Sequence, residues 1–140
     1  MAEDGLTVSG ALEIKLDGEV VHSVCNTVTS DGKTHIADQL AAVPTQAPMT
    51  NMAIGTGTPG ASALGTELKR KAFKARTSSG AVVTYIGFWD IDDNVAGTIT
   101  EAGLFNAPQL GGTMLCSASF GGIIKAVQST LEITWTLTFT

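Results

Sequence analysis

The segment Leu131-Glu132-Ile133-Thr134-Trp135-Thr136-Leu137-Thr138-Phe139-Thr140 alternates apolar and polar residues without a fault. A period of two is the pattern of a half-buried β-strand. The odd positions present Leu, Ile, Trp, Leu and Phe to one face, and the even positions carry Glu or Thr to the other. A slip of one residue would carry every one of those large side chains into water, so the register is tightly specified. At about 3.3 Å per residue the strand spans roughly 30 Å, and such a strand must be paired or covered to stay soluble. The segment predicts an all-β fold, a β-sandwich or jelly roll.

Working outward, 140 residues predict one sandwich domain over 1–140, with residues 1–10, including Glu3 and Asp4, read as a flexible arm. A chain of this size buries about two-thirds of its unfolded surface without needing a metal or a disulfide. Charged residues make up only 15% and glycine is frequent at 16 residues, a turn-rich, β-rich composition. The net charge of -5 argues against a protein that coats nucleic acid. Cys25 and Cys116 sit in apolar or Ser/Thr-rich surroundings and read as buried free thiols, with their oxidation state left open. Met1-Ala2-Glu3-Asp4-Gly5 is acidic where a secretory signal is basic, and no stretch approaches about 20 apolar residues. The expectation is cytoplasmic synthesis and no membrane association.

Upstream, Leu12, Ile14 and Leu16 alternate with Glu13, Lys15 and Asp17, and Asp17-Gly18 suits a type I′ turn back into residues 19–24. The regular hairpin register sets Ile14 opposite Val21 and Glu13 opposite His22, making His22 a cross-strand partner. One short helix follows, capped by Ser30 or Asp31, with Ile36, Ala37, Leu40 and Ala41 as its apolar stripe and Pro44 as its stop. Residues 49–54, 81–89, 98–105, 113–120 and 123–127 read as further strands bounded by Gly, Pro, Asn or Asp. Residues 68–76 show no decisive pattern. About eight strands at this spacing suit a sandwich.

Several constellations invite a functional reading. Gly55-Thr56-Gly57-Thr58-Pro59-Gly60 matches G-x-G-x-x-G, yet no βαβ unit surrounds it, Pro59 removes an amide, and Lys74 and Arg76 stand where an acid is wanted. Gly60 and Gly65 mimic phosphate-loop spacing, but Thr66 replaces the lysine. Asp90, Asp92, Asn94 and Glu101 occupy calcium-loop positions, but Val95 replaces the hinge glycine and a strand-like segment precedes them, so a solvated acidic turn is the expectation. Lys69, Arg70, Lys71, Lys74 and Arg76 concentrate most of the chain's eight cations and read either as a solvated face that balances nearby carboxylates or as a contact with an acidic patch on a protein partner. His22 and His35 adjoin no nucleophile turn or metal-type spacing. The expectation is no enzyme, with no catalytic residue, cofactor or metal.

Ile54-Gly55-Thr56-Gly57, Leu64 with Glu67, Thr100-Glu101-Ala102-Gly103-Leu104-Phe105-Asn106, Gly112-Thr113-Met114-Leu115 and the closing strand, in this order, resemble a pattern in small structural proteins of tailed bacteriophages. The resemblance spans roughly residues 50 to 140. It implies a jelly-roll-like virion module, most like a capsid cement or decoration protein on the capsid exterior, assembled in the bacterial host cytoplasm. The partners it implies are the major capsid protein and further copies of the chain, as a dimer or trimer, with no direct nucleic-acid contact. A tail, baseplate or fibre-associated protein is the alternative within the same family. A carbohydrate-binding module is a rival of another class, but Trp89, Trp135 and Phe139 read as core residues and not as exposed platforms.

Overall fold

The computed structural model describes residues 5–44, 46–109 and 111–140, and within them ten strands form two five-stranded sheets. In chain order the elements are β1 (Val8–Leu16), β2 (Glu19–Cys25), β3 (Thr27–Val28), helix α1 (Ser30–Ala41), β4 (Asn51–Gly55) and β5 (Glu67–Ala72). They continue with β6 (Ala75–Ser79), β7 (Val82–Trp89), a 3-10 turn (Ile91–Asp93), β8 (Gly97–Phe105), β9 (Met114–Lys125) and β10 (Leu131–Phe139). One sheet has the order β2-β1-β10-β7-β6, the other β3-β9-β8-β4-β5, and every pairing is antiparallel. The protein is an all-β sandwich with one short helix. Among the described residues no helix is long and apolar enough to cross a membrane.

The closing segment forms β10 at the centre of its sheet, between β1 and β7. Leu131, Ile133, Trp135 and Leu137 are buried and Phe139 is half-buried, as the alternation requires. Facing them across the sandwich are Ile54, Ile99, Leu104 and Phe120 of the second sheet, in one continuous core. Trp135 Nε1 donates to Asn26 Oδ1 at 2.9 Å, which satisfies the buried indole. Glu3 and Asp4, expected in a mobile arm, lie outside the described residues. The arm does not extend to residue 10. Thr7 exchanges both backbone hydrogen bonds with Thr140, at 2.7 and 2.9 Å, and Val8 already pairs with Phe139.

Four local expectations are corrected. The hairpin turns at Asp17 (φ 52°) and Gly18 (φ 85°). A bulge then sets Ile14 opposite His22 and Glu13 opposite Ser23, so Val21 is the extra residue and the regular register fails. The helix is capped by Thr29, whose side chain accepts from the Gly32 amide at 2.8 Å, and not by Ser30 or Asp31. Its buried face is Gly32 and His35 with half-buried Ile36, whereas Ala37, Leu40 and Ala41 are exposed. The physical reason is a close approach: a Cβ on Gly32 would strike the carbonyl oxygen of Leu115, so α1 docks on β9 through its first turns. Where two strands, 113–120 and 123–127, were expected, one strand runs continuously as β9 from Met114 to Lys125. Residues 68–76, unassigned from sequence, are mostly the edge strands β5 and β6, where the chain passes from one sheet to the other.

Candidate functional site

The segment between β4 and β5 lies across the outer face of the second sheet, and a single carboxylate holds it there. A bulge in β8 between Ile99 and Glu101 reverses the alternation. Ile99, Ala102 and Leu104 therefore face the common core, and Phe105 joins Ala53, Leu64 and Met114 in a separate small cluster under the loop. Glu101 is fully buried. Its Oε2 accepts from the amides of Gly57 and Thr66, both at 2.8 Å, and its Oε1 from the amide of Gly65 at 2.7 Å. Thr100 Oγ1 donates to the Gly57 carbonyl at 2.6 Å, and the Thr56 amide donates to Thr66 O at 3.0 Å to close the loop neck. A Cβ on Gly65 would run into the Thr58 carbonyl oxygen, so the two arms pass too closely for any larger residue.

The glycine-rich run thus does present amides to an anion, but the anion is the chain's own carboxylate. Amides that a dinucleotide loop would spend on a pyrophosphate are already taken, and Glu101 is committed to them instead of to a cation. Of the other calcium-loop positions, Asp90 is engaged within the turn itself. Asp90 Oδ1 accepts from the Asp92 amide at 3.0 Å, and Asp93 Oδ2 accepts from the Asp90 amide at 2.8 Å. Among the described residues no group of three or more His, Cys, Asp or Glu is placed to hold a metal ion.

The cationic run lies on β5, on β6 and in the turn between them; Arg70 and Lys71 are half-buried, and Lys69, Lys74 and Arg76 are exposed. Arg70 stacks 3.6 Å above the Phe105 ring and bonds Glu67 through Nε at 3.0 Å and Nη2 at 2.8 Å. Its Nη1 donates to the carbonyls of Ala107, Gln109 and Gly111, which fastens the connection between β8 and β9. Lys71 meets Asp93 at 2.7 Å. Burial works against the Asp93 charge, but hydrogen bonds from Lys71 and the Asp90 amide, with the field of Lys71 and Lys69, hold its carboxyl below the usual range. Lys74 lies 4.8 Å above the Phe88 ring and 3.4 Å from Glu132, and Arg76 donates to the Met49 carbonyl at 2.6 Å. Lys69 donates no hydrogen bond within the described residues.

A third charged clasp was not legible in the sequence. Lys125 is 1% exposed, and its ammonium donates to the carbonyls of Val95, Ala126 and Ser129 at 3.0, 3.1 and 2.8 Å. Burial pushes its pKa down, opposed by the fields of Asp93, Asp17 and Asp90. Nothing distinguishes this lysine in the sequence except its place at the end of a strand. Its acceptors are backbone oxygens, which leave no side-chain signature.

Of the two histidines, His35 is buried, with Nδ1 3.2 Å from Gln46 Oε1 and Nε2 3.2 Å from Gln39 Nε2. A glutamine amide nitrogen only donates, so Nε2 accepts and Nδ1 donates. His22 lies at a ring distance of 6.2 Å from Phe120. Cys116 is a buried free thiol as expected, and burial pushes it up to about 12. Cys25 is also free but exposed, which corrects the expectation: it sits on β2, at an edge of its sheet. Trp89 and Trp135 are fully buried and present no flat ring to a sugar. No family model, curated protein or solved structure matches the chain.

Proposed function

We propose that the chain is a non-enzymatic structural component of a tailed-bacteriophage virion, a cement or decoration protein that binds the outer surface of the major capsid protein shell and stabilises it. One observation carries the reading. The residues that resemble the phage pattern are not scattered: Glu101 clasps the Ile54–Gly57 loop, Leu104 fills the core, Phe105 supports Arg70, and Leu64 caps the small cluster. Asn106 accepts from the Thr113 amide at 2.7 Å and donates to the Ala47 carbonyl at 3.2 Å. The shared string is a set of instructions for pinning loops to a sheet, which is what a scaffold needs and a catalyst does not. Many copies of a rigid module, each contributing a modest contact, reinforce a closed shell in parallel.

The test is co-sedimentation of the purified chain with undecorated capsids at low and high salt. Binding that saturates at hundreds of copies per particle supports the reading. No binding at either salt overturns it, and a handful of copies per virion by quantitative mass spectrometry would move the chain to the tail or baseplate.

A further inference from the structure

The two sides of the sandwich differ in what guards their strand edges. On one side β5 and β6 end their sheets, and Lys69, Lys71, Lys74 and Arg76 lie along them and in the turn between them. Charges of one sign on an edge keep further strands away. On the other side β2 ends the first sheet, while β3 covers β9 only opposite Cys116 and Ser117. From Ala118 to Lys125, β9 has a ladder on one side only among the described residues. Glu19 and Lys125 are the only Asp, Glu, Lys or Arg residues along these two edges, and carbonyls enclose the Lys125 ammonium. Val20, Val21 and Ile124, by contrast, are 53, 40 and 78% exposed.

The two open edges lie alongside each other. A Cβ on Gly121 would sit 3.5 Å from the His22 ring, and Cys25 lines one groove with Ala118 and Ser119. The Asn26 amide bonds the Gly10 carbonyl at 3.1 Å, so by alternation the backbone groups of Cys25 and Ser23 point away from β1. A partner that covers this side needs two strand edges, one per sheet, about 10 Å apart. A second copy has them by construction. A two-fold axis normal to both sheets, passing beside Gly121-Gly122 and Val21-His22, sets β9 antiparallel to its own counterpart and β2 to its own at once. Both strands are bulged at that level, β2 at Val21 and β9 at Gly121-Gly122. A bulge turns a straight strand away, but on the axis each bulge meets the same twist in the copy, and the glycines admit a close backbone. The face is about 27 Å long and about 20 Å deep, so a dimer buries about 1,000 Å² in all, the lower bound of a specific interface. We infer that the chain forms a two-fold dimer through the open edges of β2 and β9. The inference gives a surface to the self-association that the capsid reading implies, but it does not rest on that reading, because the contact needs no capsid.

The experiment is sedimentation equilibrium of the purified full chain, without capsids, over about a hundredfold range of concentration. A reductant is present so that exposed Cys25 adds no covalent dimer. The expected result is a reversible monomer–dimer equilibrium. Ile124→Lys on the β9 edge and Val20→Lys on the β2 edge each place a charge in the contact twice, once per copy, and should each weaken the dimer by about a hundredfold, tenfold per copy. Leu40→Lys, at an exposed helix position away from both edges, should leave it unchanged, and circular dichroism confirms that all three variants fold. Amide exchange at Ser23 and Cys25 should slow as concentration rises. A monomer at every concentration, a trimer, a dimer that survives either edge substitution, or one that Leu40→Lys weakens equally would overturn the inference.

Discussion

Glu101 does the work that several apolar side chains would do elsewhere. Its two oxygens gather the amides of Gly57, Gly65 and Thr66, so the cost of burying a charge is offset by three charge-assisted hydrogen bonds. In Glu101→Gln one end of the side chain becomes a donor facing a donor, leaving at least one buried amide unpaired. The expected loss is about 2–4 kcal/mol in urea unfolding, with faster amide exchange concentrated at Gly57, Gly65 and Thr66. An unchanged midpoint would remove Glu101 from this role. Cys116 governs the alkaline side. Its folded thiol titrates near 12 against 9.0 for a free thiol, so between these values the unfolded chain has lost a proton that the folded chain keeps. Proton release then favours unfolding, and stability falls as pH rises, by up to about 1.4 kcal/mol per unit. Tyr85, raised chiefly by burial, acts in the same direction, while lowered Lys125 opposes both below its ordinary value. Denaturation curves from pH 8.5 to 11 should therefore fall less steeply in Cys116→Ala than in the parent.

Among the elements, α1 separates pattern from packing most clearly. The spacing of Ile36, Ala37, Leu40 and Ala41 suggests an apolar stripe, yet the helix buries Gly32 and His35. Gly32→Ala raises helix propensity by about 1 kcal/mol, but its new Cβ meets the Leu115 carbonyl, and overpacking of that kind costs about 1–3 kcal/mol. The net expectation is destabilisation of Gly32→Ala, with Leu40→Ser within about 0.5 kcal/mol of the parent. Urea midpoints in the opposite order would mean that α1 docks through its stripe after all. The same contrast shows what was legible in the sequence. β10 could be read in full because one of its faces is core and the other is not. The β1–β2 hairpin was readable up to the bulge, which depends on packing beyond the hairpin itself. β5 and β6 were opaque because edge strands rich in Lys, Arg, Ser and Thr are held by ion pairs and carbonyls, and these leave no apolar period. Gly121-Gly122 looked like a break between two strands; β9 runs on through it, but the pairing with β8 shifts register there, from Ile123 opposite Ile99 to Ser119 opposite Glu101. The loop clasp escaped notice because its partners are backbone amides. Only the glycine spacing and a lone glutamate in a strand-like run pointed to it, and both had been weighed as ligand motifs.

Across the whole molecule the charges are mostly spent internally. Of eight cations, Lys125 is buried, Arg70 and Arg76 hold loop carbonyls, and Lys71, Lys74 and Lys15 meet carboxylates. Lys33 and Lys69 are the cations whose side chains donate no hydrogen bond within the described residues. The cluster Lys69–Arg76 looked like an electrostatic contact when only the linear order was known. In the fold the run lies on two strands and the turn between them, with Arg70 and Arg76 on loop carbonyls and Lys69, Lys74 and Arg76 exposed, on a chain whose formal charge is -5. Surface ion pairs contribute about 0–1 kcal/mol each and are screened by salt, so two free lysines can confer only a shallow salt dependence. Capsid co-sedimentation should therefore weaken by no more than about tenfold between 0.05 and 0.5 M salt. Lys69→Ala should reduce what dependence there is, and Arg70→Ala should instead lower the melting temperature by freeing the carbonyls of Ala107, Gln109 and Gly111. A fall of a hundredfold or more over that salt range, with Arg70→Ala folding normally and failing to bind, would return the run to the partner surface and count against its role as internal fastening.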